Sequence, residues 1–336
     1  MSSYIQGKLA SGAKLHFFVT GATGYIGSAF AEKSIAAGHT VHGLSRSESG
    51  DKKLSALGAV PVRGDISTHD ILKAESAKAD AVIHLAWVHD FSRDFDEVAA
   101  ADTAATDAIM SVLSGTGKPL LTASGAGGYE PHADGSAAGE DTPRMSGIPI
   151  MDARGRAEAN VLNRSGDVHG VVIRLAPYCY GHAGKGFLST WMSEAQKHGE
   201  CLYVEGSEDK VISTLHVDDA ADLYLAAVQY AGRGQVYNAI GSSETTIKQM
   251  FDAISKVMQL PVRGVHREEA VKKWGQFLAY FVTIEVKVSN EKARSQLHWA
   301  PRGPAFLDDI LTGSYKAVAQ ELKANNTDLA AQLGFT

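Results

Sequence analysis

The sequence predicts a doubly wound α/β fold, a parallel sheet with helices on both faces, joined to a smaller C-terminal domain. Three observations carry that expectation. Short apolar runs rich in β-branched residues recur without alternation, as strands buried on both faces require. Helix-length patterns separate most of them, giving a βαβαβ order with right-handed crossovers. A glycine-rich turn follows the first run, at VTGATGYIG (residues 19 to 27).

LHFFVT (15 to 20) is the first strand, and the turn after it opens a helix written YIGSAFAEKSIAAG. Gly21, Gly24 and Gly27 each need the absence of a side chain, for the turn, for close approach of a phosphate and for helix packing on the sheet. The amides of this loop, through Thr23, Tyr25 and Ile26, and the positive helix end then face a pyrophosphate. TVHGLS (40 to 45) is the second strand. It runs into GLSRSE, which puts Ser45, Arg46 and Ser47 about 20 residues beyond the glycines, where the ribose of a dinucleotide is read. A guanidinium takes a 2′-phosphate bidentately and the serines add hydroxyl donors, so the expected cofactor is NADP(H). The rival is a surface Arg46 with Glu48 doing the reading. After AVPVRG (59 to 64), RGDI places Asp65 and Ile66 beside the adenine. AVIHLA (81 to 86), a long helix from about Ser92 to Leu113, PLLTAS (119 to 124) and GVVIRLA (170 to 176) continue the pattern. The glycine- and serine-rich stretch from 124 to 143 reads as one long loop, a feature that is usually functional. Beyond residue 180 the order is less regular: HVDDAADLYLAAV, QVYNAI, TIKQMFDAISKVM and a terminal helix partly return to the sheet and partly form a cap. Residues 1–180 with about 212–240 are assigned to the dinucleotide domain, and about 181–211 with 241–336 to the cap.

The 336 residues are 44% hydrophobic, enough for a large core, and the net charge of -6 without a Lys/Arg run excludes an electrostatic footprint for nucleic acid or a membrane surface. A small-molecule partner is expected. Only Cys179 and Cys201 occur, with no zinc spacing and no HExxH, which favours a reducing compartment and no metal. The N-terminus lacks the apolar core of a signal peptide, and FLAYFVTIEV is far short of a membrane span. The expectation is a cytoplasmic protein.

TGATGYIG, GLSRS, RGDI, HLA at 84 to 86, RLAPYCYG, HVDDAADLY, VYNAIG and NEKARSQLHWAP, in this order, resemble the extended, epimerase/dehydratase-like branch of the short-chain dehydrogenase/reductase superfamily. The resemblance implies a Rossmann domain for the cofactor, a C-terminal domain closing over substrate, and Leu85, Ala86, Trp87 and Pro177 along the cofactor. It also implies a homodimer, since members often pair through helices. In this superfamily a Tyr-x-x-x-Lys pair lies on the helix before the strand read as GVVIRLA. Counting back from Glu158 puts Arg154 at the lysine position and Ile150 at the tyrosine position, so the expected acid is missing. HDFSR at 89 to 93 also looks like the atypical members that lack the pair.

Replacement groups are sought nearby. Ser124 ends the fifth strand, where a hydroxyl reaches a substrate oxygen. Arg154 binds ribose or an oxyanion as a fixed cation, because its pKa makes it a poor proton donor. Tyr129, Tyr178 and Tyr180 are phenols within reach of the site, with packing as the rival role for each, and His182 titrates near neutrality. Trp87 and His89 line the substrate pocket. Asp152 is expected to pair with Arg154 or Arg156, Arg156 and Glu158 to face solvent or the sheet edge, and Asp218 and Asp219 after His216 to cap a helix. The leading reading is an NADP(H)-dependent reductase of a carbonyl or enone of aromatic or secondary-metabolite type. A redox-neutral isomerase, epimerase or lyase retaining NADP(H), and a non-enzymatic NADP(H) sensor, are the alternatives.

Overall fold

The computed structural model describes residues 3–88, 93–130, 132–164 and 166–325. Its first half alternates: α1 (Ser3–Ala10), β1 (His16–Thr20), α2 (Tyr25–Ala36), β2 (Thr40–Ser45), α3 (Glu48–Ala56), β3 (Val60–Arg63), α4 (His69–Lys78), β4 (Ala81–His84), α5 (Phe95–Leu113), β5 (Pro119–Gly125), α6 (Pro149–Leu162) and β6 (His169–Leu175). The second half runs β7 (Tyr178–Tyr180), α7 (Phe187–His198), β8 (Cys201–Val204), β9 (Val211–His216), α8 (Val217–Tyr230), β10 (Gln235–Ala239), β11 (Ser242–Thr246), α9 (Ile247–Met258), β12 (Val262–Val265), α10 (Arg267–Phe281), α11 (Glu291–Leu297), α12 (Phe306–Leu311) and α13 (Tyr315–Asn325).

Seven strands form one parallel sheet in the order β10-β6-β5-β4-β1-β2-β3. The order reverses between β1 and β4, and in such sheets the ligand crevice opens beyond the carboxyl ends of the strands at that reversal. The apolar runs explain the middle of the sheet: all four residues of β4 and Phe17, Phe18 and Val19 of β1 are buried. β3 departs from expectation. It is an edge strand with Val60 45% exposed, because only β2 pairs with it. QVYNAI does return to the sheet, as β10 beside β6. β9, by contrast, joins β7 and β11 in a separate three-stranded sheet.

Two large apolar cores follow. One lies at the main sheet, where α2 and α8 pack against each other and Phe30 meets Tyr224 edge to face at 6.3 Å. The other is built by α7, α9, α10, α12 and α13 around Trp191, Phe251 and Trp274. α9 contributes Ile247, Met250, Phe251, Ile254 and Met258, a single helical stripe, and starts with a reciprocal Thr246/Gln249 capping box.

Candidate functional site

The glycine loop is tight. Gly21 has φ +69° and a β-carbon there would stand 2.7 Å from the Ala86 nitrogen, while one on Gly27 would stand 2.2 Å from the Gly21 carbonyl oxygen. Only glycines allow the loop to lie against the chain leaving β4 and α2 to start beneath it. Leu85 and Ala86 are thereby brought to the loop, with Leu85 N–H donating to the Thr20 carbonyl at 3.1 Å. The cradle fits a dinucleotide pyrophosphate: Thr23 belongs to its loop, Tyr25 and Ile26 to the first turn of α2, and exposed Gly24 caps α2 with no side chain in the way. Tyr25 turns its hydroxyl outward, donating to the Gly181 carbonyl at 2.5 Å, which ties the loop to the segment leading into the second core.

At the end of β2, Ser45 is buried and donates to the Ser47 carbonyl, and Ser47 caps α3 through Gly50 N–H. Arg46 is exposed and forms no ion pair with a described residue. Asp65 holds its own turn, accepting from Ser67 N and Oγ at 2.8 and 2.6 Å, and these bonds keep its carboxyl below the usual range. Ile66 is half-buried and packs against a small apolar cluster that includes Phe18, Leu44 and Leu72. Sequence reading missed Lys53, whose Nζ donates to the Thr23 carbonyl at 2.8 Å and so adds a second cation between the glycine loop and α3. Its spacing on α3, one turn after Ser49, was the available signal.

Where β1 and β4 end, Thr20 Oγ1 and His84 Nδ1 are 2.8 Å apart and His84 Nε2 lies 3.1 Å from Asp102 of α5, all three buried. This chain fixes the strand ends beside the glycine loop, and Ala86 N–H also donates to Thr20 Oγ1. Sequence reading missed it, because His84 and Asp102 are 18 residues apart and only the fold joins them. Past it, the Arg154 guanidinium lies over the Trp87 ring, 3.7 Å from the ring centre, and reaches the Ala123 carbonyl at 3.4 Å. Arg154 has no ion pair among the described residues, and burial pushes its pKa down to about 10. Ser124 is 5% exposed and its buried Oγ has no hydrogen-bond partner among the described residues. His89 lies outside the described residues.

The charges of α6 correct the sequence expectation. Glu158 faces inward, not outward: Arg174 grips both its carboxylate oxygens and Arg144 shares one of them. Arg174 also donates to the Tyr129 hydroxyl at 3.3 Å, and that hydroxyl donates to Asn238 Oδ1. Tyr129 is thus anchored between two guanidinium groups, and its phenol is pushed up by burial. Asp152 pairs with neither arginine; it accepts from Gly147 N–H at 3.1 Å, ahead of the helix. Arg156 is exposed and pairs with Asp96.

The remaining candidates go elsewhere. Tyr178 is fully buried in the second core, accepts from Trp191 Nε1 and packs on Phe187, Phe281 and Phe306, which removes it from the acids. Tyr180 donates to the Pro304 carbonyl at 2.5 Å. His182 is largely exposed, with Nε2 3.0 Å from Asp218, so it meets the start of α8 and not Ser124 or Arg154. That start is capped by the His216 ring, which accepts from Asp218 N–H, and not by the carboxylates; Asp219 instead accepts from Arg302 and Gly303 N–H. His182, His216 and Asp218 bring three ligand-type atoms within 4.8 Å of one another, though the His216 Nδ1 lone pair already serves the cap. Pro177 is half-buried between β6 and β7.

Residues 17–240 match the family described as NAD dependent epimerase/dehydratase. The chain belongs to this family. Uncharacterized protein C2A9.02 of Schizosaccharomyces pombe is 31% identical over 90% of this chain and its own full length. The 2-alkyl-3-oxoalkanoate reductase of Shewanella oneidensis is 27% identical over 80% of this chain and 70% of that enzyme. A solved UDP-glucuronic acid 4-epimerase from Bacillus cereus, in complex with UDP-glucuronic acid and NAD, superposes with a TM-score of 0.73 over 91% of this chain and all of that one, at 17% identity. The superfamily resemblance implies a Tyr-x-x-x-Lys pair on the helix before β6, which is α6. The chain's one Tyr-x-x-x-Lys, Tyr4 and Lys8, is not at that place: it sits on α1 with both side chains on Asp80, at the amino-terminal end of β4. Ile150 and Arg154 lie in the first two turns of α6.

Proposed function

We propose that the protein is an NADP(H)-dependent reductase of small carbonyl or enone compounds. The observation that carries this reading is the Ser124 hydroxyl, buried and unpartnered at the end of β5, beside an arginine stacked on Trp87 and next to the glycine cradle. When bound, NADPH supplies hydride. Ser124 donates a hydrogen bond to the substrate oxygen, Arg154 stabilises negative charge building there as a fixed cation that does not itself transfer a proton, and the alkoxide left by hydride addition takes its proton from solvent water. Arg154 takes the lysine position of the family's pair and also faces the cofactor ribose. Arg46, Ser45 and Ser47, with Lys53, take the 2′-phosphate; the absence of any ion pair on Arg46 among the described residues supports NADP(H) over NAD(H). Asp65 and Ile66 flank the adenine, and Leu85, Ala86, Trp87 and Pro177 line the rest of the cofactor site.

The named activity of the Shewanella relative, reduction of a 3-oxo acid, supports a ketone substrate. Ile150, which has nothing to donate, supports a second reading, a redox-neutral isomerase, epimerase or lyase; binding of NADP(H) without any turnover is the third. The second core is read as the substrate-binding cap, the location as cytoplasmic and the assembly as a homodimer through the α5 and α6 face, where Ala100, Thr103 and Ala104 line a groove of about 370 Å³. No described helix is long and apolar enough to cross a membrane. Mass spectrometry after incubation with 4-deuterated NADPH, each face in turn, and a panel of aldehydes, ketones and enones tests the lead. Deuterium in a product establishes the reductase; conversion without deuterium moves the protein to the redox-neutral class.

A further inference from the structure

The segment between β5 and α6 brings a second arginine to the end of β5. Arg144 donates from Nη2 to the Gly125 carbonyl at 3.1 Å, and Arg154 from Nη1 to the Ala123 carbonyl at 3.4 Å. Two guanidinium groups therefore hold the carbonyls on either side of Ser124. Ala126 N–H donates to Leu175 of β6, so strand alternation turns the 123 and 125 carbonyls the other way, towards β4. β4 has already ended there, since its last register pair is His84 with Thr122.

Three independent features mark that side as a binding space. The Ser124 Oγ is buried without a partner, and Arg144 keeps both Nε and Nη1 buried without an acceptor. Arg174, in contrast, has an acceptor for each of its three nitrogens, in Glu158, Tyr129 and the Glu140 carbonyl. Gly127 is buried, yet a methyl group built on it, or on Gly125, would meet no heavy atom within 4 Å. Arg144 already meets Glu158 through Nη2, so Nε and Nη1 are the donors left over, and unused donors on a cation beside open space suit an anionic oxygen ligand.

We propose that this space is a carboxylate subsite: Arg144 binds the carboxylate of the substrate while Ser124 faces its carbonyl oxygen, which makes the substrate an oxo acid. The carbonyl half rests on the reductase reading above; the carboxylate half rests on Arg144. Ordinary guanidinium chemistry supports the match, because N–H donors on a fixed cation form charge-assisted bonds to carboxylate that an ester cannot replace.

The test is calorimetric titration of the NADPH-saturated full chain with 3-hydroxy acids of four to ten carbons and with their methyl esters. Each acid that binds is expected to bind at least about tenfold more tightly than its ester. Arg144→Met is expected to abolish that preference, Arg144→Lys to keep part of it, and Ser124→Ala to weaken acid and ester alike. Equal affinity for acid and ester, no binding across the series, or an unchanged preference in a folded Arg144→Met protein overturns the subsite. Where the Arg144 variants do not fold, equal wild-type affinity for acid and ester still overturns the subsite, and Arg154→Met with its acid preference kept assigns that preference to Arg144. Deuterium transfer to neutral ketones without acid preference would leave the reductase standing and remove the subsite; an Arg144-dependent acid preference without any deuterium transfer would do the reverse.

Discussion

Replacing Glu158 with alanine removes the anion shared by two arginines that have little water to fall back on. The side chains of Glu158, Arg174 and Arg144 are 6%, 10% and 14% exposed, and Glu158 accepts from Arg174 Nε and Nη2 and from Arg144 Nη2. Deleting one partner of such a set strands buried charge, at a cost of roughly 3–5 kcal/mol. With an unfolding entropy of about 2.1 cal/mol/K per residue over the chain, that lowers the melting midpoint by about 4–7 °C. Differential scanning calorimetry on Glu158→Ala, Glu158→Gln and Arg156→Met measures it. Glu158→Gln retains an acceptor oxygen and should fall between the other two. Arg156→Met breaks only the exposed pair with Asp96 and should move the midpoint by about 1 °C or less. If Glu158→Ala melts within 1 °C or so of Arg156→Met, the inward carboxylate does not hold α6 to the sheet and the reasoning fails.

Gly21→Ala puts a methyl 2.7 Å from the Ala86 nitrogen at a φ of +69°, so NADPH affinity, read by cofactor fluorescence, should fall at least about tenfold; retained affinity would mean the loop is not the phosphate cradle. Arg46→Ala and Lys53→Ala should each weaken NADPH by about tenfold while leaving NADH nearly unchanged, and an equal effect on both cofactors would contradict 2′-phosphate recognition. His16, His39, His169 and His216 all have pKa values lowered by burial, with the charge of His42 adding to the effect on His16. Since the folded state takes up those protons later than the unfolded chain, their contribution is complete above about pH 6.5 and stability should fall as pH drops from there towards 5. Urea midpoints that stay flat or rise over that window would show these rings to be accessible.

The strand runs, the glycine loop and the place of Arg46 were readable from local sequence because each depends on neighbours within a few residues. The period of apolar residues and the φ that only glycine adopts easily are local properties. Polar destinations were harder. Glu158, Asp152 and Arg156 share one helix and look alike in sequence, yet one is buried between arginines, one bonds its own entry turn and one faces solvent. Arg144 comes from a loop 19 residues after the carbonyl it holds, and nothing in its local sequence announces that contact. Tyr178 and Tyr180 are two residues apart in a motif beside the site, but their hydroxyls are committed to Trp191 and Pro304 by the second core.

By itself, then, the sequence determined the parallel α/β sheet and the tight glycine loop, since burial pattern and backbone freedom are written into residue type and spacing. Only the tertiary structure decided which charges are inside. A buried ion is tolerated only where partners from distant segments converge on it, and those partners, Arg144, Glu158 and Arg174 around Tyr129, are brought together by β6, α6 and the loop between β5 and α6 closing on one another.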